Sequence, residues 1–114
     1  MISQGEVWWA TIADPSGSEP GFRRPVVVVQ GDAFNRSAIR TVVVIPLTSN
    51  IRWADAPGNV RLSGRWTGLP KDSVANVSQI VALDNATLTE RVGRISQAKL
   101  DLLFAGIDIV LGRA

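Results

Sequence analysis

The chain has 114 residues, a formal net charge of +2, 46% hydrophobic residues, and neither cysteine nor histidine. This length predicts one domain over residues 1–114, with enough surface buried to fold without staples. The missing cysteines exclude disulfides, thiolate metal sites and cysteine nucleophiles, and the missing histidines remove the commonest general base near neutral pH and the commonest metal ligand.

Chemistry must therefore rest on Arg, Lys, Asp, Glu, Ser, Thr or backbone groups. Ten of the twelve cations are Arg, the side chain suited to bidentate phosphate contact and to stacking on bases. The opening Met1–Glu6 has no basic region followed by an apolar stretch, so no signal peptide is expected. No apolar run approaches the length needed to cross a membrane. A cytoplasmic protein with no membrane association is the expectation.

Gly5 to Ala13 alternates around Val7, Trp8, Trp9 and Ile12 and predicts the first strand. Its adjacent tryptophans must point to opposite faces, one to the core and one to a second surface. Asp14 to Phe22 is dense in turn formers and predicts a long loop of the kind that often carries function on a rigid scaffold. It leads to Arg23 and Arg24, which stand before Pro25 and the four valines Val26–Val29. Pro25 predicts a strand's first residue or an edge, and the β-branched run predicts a strand buried on both faces. The two arginines read equally as solubility groups flanking a strand or as a cationic site on a stiff joint.

Asp32 to Asn35 predicts one helical turn capped by its own aspartate. Ile39 to Leu47 predicts a second buried strand, ending at Thr48, Ser49 and Asn50, polar groups that either stop it or line a site. Ile51 to Gly58 predicts a loop whose Arg52 and Trp53 form a base-stacking pair or a plug on the core. Asn59–Leu62, Asp72–Val77 and Gln79–Leu83 predict short strands, with a polar hinge over Ser63–Leu69. Thr87–Glu90 has capping-box spacing and predicts a helical turn before a last strand, Arg91–Ile95. Ser96 then caps a helix to about Leu111, with Gly112 as its stop. That helix is apolar on more than one side, which calls for burial beyond a single small barrel and predicts a dimer interface. Many short strands plus one terminal helix give a mainly β domain, a small barrel.

Several stretches carry a family likeness. Gly5-Glu6-Val7-Trp8, Gly17-Ser18-Glu19, Arg24-Pro25 with the valines, Leu47-Thr48-Ser49-Asn50, Asp72-Ser73-Val74, Gln79-Ile80 and Arg91-Val92-Gly93-Arg94-Ile95 together resemble the MazF/PemK family of toxin endoribonucleases. The likeness runs in family order along essentially the whole chain. It implies an SH3-like β-barrel with a C-terminal helix, a homodimer, metal-independent cleavage of single-stranded RNA with no cofactor, and an antitoxin whose extended acidic segment lies over the RNA groove. It also implies catalytic roles for Arg24 and Thr48, and substrate contacts from Ser18 and Gln79. Glu19 sits in the loop motif and is the candidate base; Arg23, Ser49 and Asn50 are further substrate-binding candidates. Pro20 and Ser78 depart from the family pattern, where a glutamine and an acidic residue are common, and both departures bear on which bases are read.

An RNA substrate brings its own nucleophile, the 2′-hydroxyl, so histidine and metal are dispensable. Asp14, Asp55 and Asp72 are scattered on turns and read as solvated surface groups. Two other readings share the fold. One is a CcdB-like toxin that binds gyrase; the other is a barrel that binds RNA without cutting it.

Overall fold

Val26, Val27 and Val28 are completely buried and Val29 is 6% exposed in the computed structural model, which describes residues 1–12 and 22–114. Alternation explains why a run with no polar residue was needed. Val27 and Val29 join one hydrophobic cluster, with Val7, Ile45 and Leu47. Val26 and Val28 point the other way into a second cluster with Ala10, Val42, Val44 and Leu88. The valine strand is thus buried on both faces, as its composition predicts.

Seven strands are described: β1 (Glu6–Ile12), β2 (Phe22–Val28), β3 (Thr41–Thr48), β4 (Val60–Leu62), β5 (Ser73–Ala75), β6 (Val81–Asp84) and β7 (Leu88–Arg94). They form one curled antiparallel sheet in the order β4-β5-β3-β2-β1-β7, with β6 also beside β3. β3 is its hub. One edge of β3 pairs with β2 over Val44–Pro46, while the other pairs with β6 over Thr41–Val44 and with β5 over Leu47–Thr48. The one-turn helices are α1 (Asp32–Asn35) and α2 (Gly64–Thr67), and the long C-terminal helix is α3 (Gln97–Val110). α2 packs on β7 and α3 on β4, so helices bridge the two ends of the sheet.

α3 begins where expected. The Ser96 hydroxyl accepts from Lys99 N at 3.3 Å, and Gly112, at φ +71°, takes the left-handed conformation that ends the helix. Leu100 and Leu103 are buried in the first cluster, whereas Leu102, Ile109 and Leu111 remain exposed. The helix passes so close to the 58 turn that a methyl group on Gly106 would run into the Gly58 carbonyl oxygen.

Pro25 is inside β2, not at its start, but it stands at an edge, the other expectation: the register with β1 runs through Trp9↔Pro25, and the ladder to β3 opens only at Val26. Three other local expectations are corrected. The Ser63–Leu69 hinge contains α2, capped by the Ser63 hydroxyl. Thr87–Glu90 is not a helical turn. Asp84 caps a 3₁₀ turn at Asn85–Thr87 instead, and β7 starts at Leu88, which is buried opposite Ala10. Strand pairing and burial of Leu88 outweigh the capping-box pattern.

Asp32, finally, does not cap α1. Gly31 occupies the cap position, and the Asp32 carboxylate accepts from Gln4 N at 2.7 Å and from Asn35 Nδ2 at 3.1 Å. These bonds, the Gln4 amide foremost, with help from Arg36 and Arg94, hold its pKa below the ordinary 3.8. A depressed carboxylate stabilises the fold above its unfolded pKa, and that contribution is lost as pH falls through the lower folded value. Thermal melts should therefore place the parent above Asp32→Asn by a constant margin from about pH 7 to about pH 5. The margin should narrow below the ordinary 3.8. A margin that does not change with pH would remove the assignment.

Candidate active site

Beyond the ordered ladder, the ends of β2 and β3 open onto a cavity of about 310 Å³. Trp9, Pro25, Leu47 and Leu69 give it apolar walls, and Arg23, Arg24, Thr48, Ser49, Lys71 and Ser73 bring polar groups to it. The β2–β3 ladder ends at Val26↔Pro46; Arg24 lies two residues before it and Thr48 two residues after it, and both line the cavity. The stiff buried valines fix where that pair lies.

Arg24 is half-buried, and its guanidinium carbon lies 5.2 Å from the centre of the Phe22 ring. Thr48 is also half-buried. Its Oγ1 accepts from Asn50 N at 3.2 Å, which orients the hydroxyl and leaves its hydrogen to be donated elsewhere. Asn50 does not line the cavity. Its side chain accepts from Arg52 N at 3.4 Å and caps the 3₁₀ turn Ile51–Asp55, so it braces Thr48 from outside.

Arg23 and Arg24 have different surroundings. Arg23 is exposed; its Nη2 is 2.7 Å from Glu90 Oε1, and its guanidinium carbon lies 4.8 Å from the Trp9 ring centre. It covers the outer face of a cavity wall. Trp8 takes the opposite face, as alternation requires, and donates from Nε1 to Glu6 Oε1 at 3.2 Å. Buried Glu6 also accepts from Ser3 N at 2.7 Å and from Arg91 Nε at 2.5 Å. That network ties β1 to β7 beneath the site.

Ser49 lines the cavity with Arg23, Arg24 and Thr48, but Gln79 does not. Gln79 is exposed on the 3₁₀ turn Val77–Gln79 that links β5 to β6. Ser18, Glu19 and Pro20 lie outside the described residues. Trp53 is 50% exposed on its 3₁₀ turn and is no plug on the core. Trp66 is exposed as well, with Lys99 Nζ 3.9 Å from its ring centre.

Trp9, Leu69, Pro70, Lys71 and Ser73 are cavity residues that sequence reasoning did not place at the site. A signal existed for Lys71: it is one of only two lysines and directly precedes Asp72-Ser73-Val74. Among the described residues no three carboxylates converge as a metal-ligand group, and no helix is long and apolar enough to cross a membrane.

Comparison with known proteins gives one consistent result. The profile of the PemK-like, MazF-like toxins of type II toxin–antitoxin systems matches residues 3–111. The chain is 44% identical over 111 residues to endoribonuclease MazF2 of Mycobacterium bovis, covering 97% of each protein. It is 37% identical over 112 residues to endoribonuclease MazF of Staphylococcus epidermidis, covering 98% of this chain and 92% of that one. Among solved structures, a MazE–MazF complex from Deinococcus radiodurans shares the fold at a TM-score of 0.81 and 22% identity, covering 99% of this chain and 97% of that chain. A mycobacterial endoribonuclease in complex with its cognate antitoxin shares it at 0.78 and 22% identity, over 100% and 98% of the two chains. With its curled sheet, its C-terminal helix and a match spanning nearly its whole length, this chain belongs to the PemK/MazF family of type II toxin–antitoxin toxins.

Proposed function

We propose that this toxin is a sequence-specific endoribonuclease that cleaves single-stranded RNA through the substrate's own 2′-hydroxyl. The observation that carries this reading is that Arg24, near the start of β2, and Thr48, at the end of β3, line one cavity. In the reaction, the 2′-oxygen forms a bond to the adjacent phosphorus as the bond to the 5′-oxygen breaks. The products are a 2′,3′-cyclic phosphate and a 5′-hydroxyl. Arg24, rich in fixed donors, stabilises the extra charge on the phosphate oxygens and hydrogen-bonds to the leaving 5′-oxygen, which takes its proton from solvent water. Thr48 donates to a non-bridging oxygen. Glu19, five residues before Arg24 in the chain, is the candidate to take the 2′ proton. No step calls for a metal or a cofactor.

The same reading gives the partners. Arg23, Arg24 and Lys71 make the cavity mouth cationic, which suits RNA and also the acidic segment of an antitoxin. The relatives named endoribonuclease and the solved toxin–antitoxin complexes support both assignments. The exposed apolar Leu102 and Ile109, seven residues apart on one face of α3, support a homodimer. The site of action is the cytoplasm, where RNA and antitoxin meet it.

The test is digestion of a long single-stranded RNA by purified protein, with mapping of the new 5′ ends. Discrete 5′-hydroxyl ends at a recurring short sequence are expected. Intact RNA with inhibited DNA supercoiling would favour the gyrase-binding reading instead. A gel shift without products would favour a pure RNA-binding barrel.

A further inference from the structure

The turn between α2 and β5 is built more rigidly than a surface connection requires. Buried Thr67 accepts from Leu69 N at 3.1 Å through its hydroxyl, and Pro70 fixes the backbone directly before Lys71. Gly64 lies so near that a Cβ there would be 2.6 Å from the Leu69 carbonyl oxygen and 3.1 Å from that of Lys71. Asp72 closes the clamp: one carboxylate oxygen accepts from Gly64 N at 3.0 Å, and the other pairs with Arg61 at 3.2 Å. The charged residue this clamped turn presents to the cavity is Lys71, beside the apolar Leu69 and Pro70.

Among the described residues the charge of Lys71 is also left available. Its neighbour Asp72 is already committed to Gly64 and Arg61, bonds that hold the carboxyl below its ordinary pKa. Among the described residues Lys71 forms no ion pair, in contrast to Arg23 and Arg61. Near it on the same cavity are Arg24 and the hydroxyls of Thr48, Ser49 and Ser73, a set that suits an oxyanion better than a base edge. We propose that Lys71 binds a backbone phosphate of the RNA next to the one being cleaved, an inference that rests on the endoribonuclease reading above. The neighbouring phosphate is favoured over the reacting one on chemical grounds. Arg24 and Thr48 already serve the reacting phosphate, and an ammonium on a four-carbon stem is a point charge that attracts without imposing geometry. Such a contact strengthens ground state and transition state alike, so it acts on KM.

The experiment compares the parent with Lys71→Met and Lys71→Arg, using single-stranded RNA that carries a 2′-methoxy group at the cleaved linkage for binding and unmodified RNA for cleavage. Affinity is measured against NaCl concentration. Losing one phosphate contact should make the logarithmic salt dependence of Lys71→Met shallower by about 0.7. Its KM should rise several-fold while kcat stays within about twofold, the signature of lost uniform binding. Lys71→Arg should return the parental slope. A parental slope and KM in Lys71→Met, with the parent cutting RNA normally, would overturn the proposal and leave the nuclease reading standing. A fall in kcat at constant KM would also overturn it, since Lys71 would then act on the reacting phosphate. A parent that neither binds nor cuts RNA would overturn both.

Discussion

Arg24→Ala should lower RNA cleavage by at least about 10²–10³-fold, the usual cost of removing one preorganised donor from a site where charge develops. Arg24 combines three features: it is half-buried, it is mounted on the buried valine strand, and it lines the cavity with Thr48. The loss should be chemical and not structural. Among the described residues its guanidinium forms no ion pair and lies over the exposed Phe22 ring, so the melting temperature should move little. Arg24→Lys keeps the charge but not the planar fork, and should recover only part of the rate. Thr48→Ala removes one neutral donor and should reduce cleavage strongly, though less than Arg24→Ala does. The adjacent Arg23 is the internal control. Its guanidinium is tied to Glu90 on the exposed rim, where such pairs contribute about 0–1 kcal/mol, so Arg23→Ala should weaken RNA attraction without removing the chemistry. Purified Arg24→Ala cutting at the parental rate would remove the central claim.

Much of this site was legible because its parts are local in sequence. Arg24 sits directly against Pro25 and four valines, and the periodicity of that run announces a strand buried on both faces. Thr48 closes a second such run, and antiparallel pairing of the two brings their ends together. The terminal helix was equally readable, since Ser96 and Gly112 mark its limits by side-chain and backbone chemistry that needs no tertiary context. What escaped was whatever the curled sheet assembles from distant segments. Trp9 and Lys71 line one cavity although β1 and the turn before β5 are far apart in the chain, and no local pattern encodes that meeting. The capping-box pattern at Thr87 failed for a related reason. A local preference of about a kilocalorie cannot outweigh pairing with β1 and burial of Leu88. Gln79 shows the reverse limit: a motif places it in a family position, but its 3₁₀ turn lies outside this cavity, so any RNA contact it makes belongs to a wider surface.

Replacing the 2′-hydroxyl with a methoxy group at the cleaved linkage should abolish cutting there while leaving the RNA bound. The methylated oxygen has no proton to surrender and cannot close a cyclic phosphate, so the reaction loses its nucleophile. The chain has no histidine or cysteine that could act as a nucleophile or direct a water. Binding should survive, because the phosphate contacts made by Arg24 and Lys71 do not involve the 2′ position. Neighbouring unmodified sites in the same strand should be cut at their normal rate, which separates loss of the nucleophile from loss of affinity. EDTA should leave that rate unchanged, since the proposed mechanism assigns the charge developed on phosphorus to Arg24 and Thr48. Cleavage at the methoxy linkage would require an external nucleophile, and strong inhibition by EDTA would require a cation to activate it. Either result would transfer the chemistry away from the Arg24–Thr48 pair, whereas the expected pair of results leaves the RNA itself as the only source of the attacking oxygen.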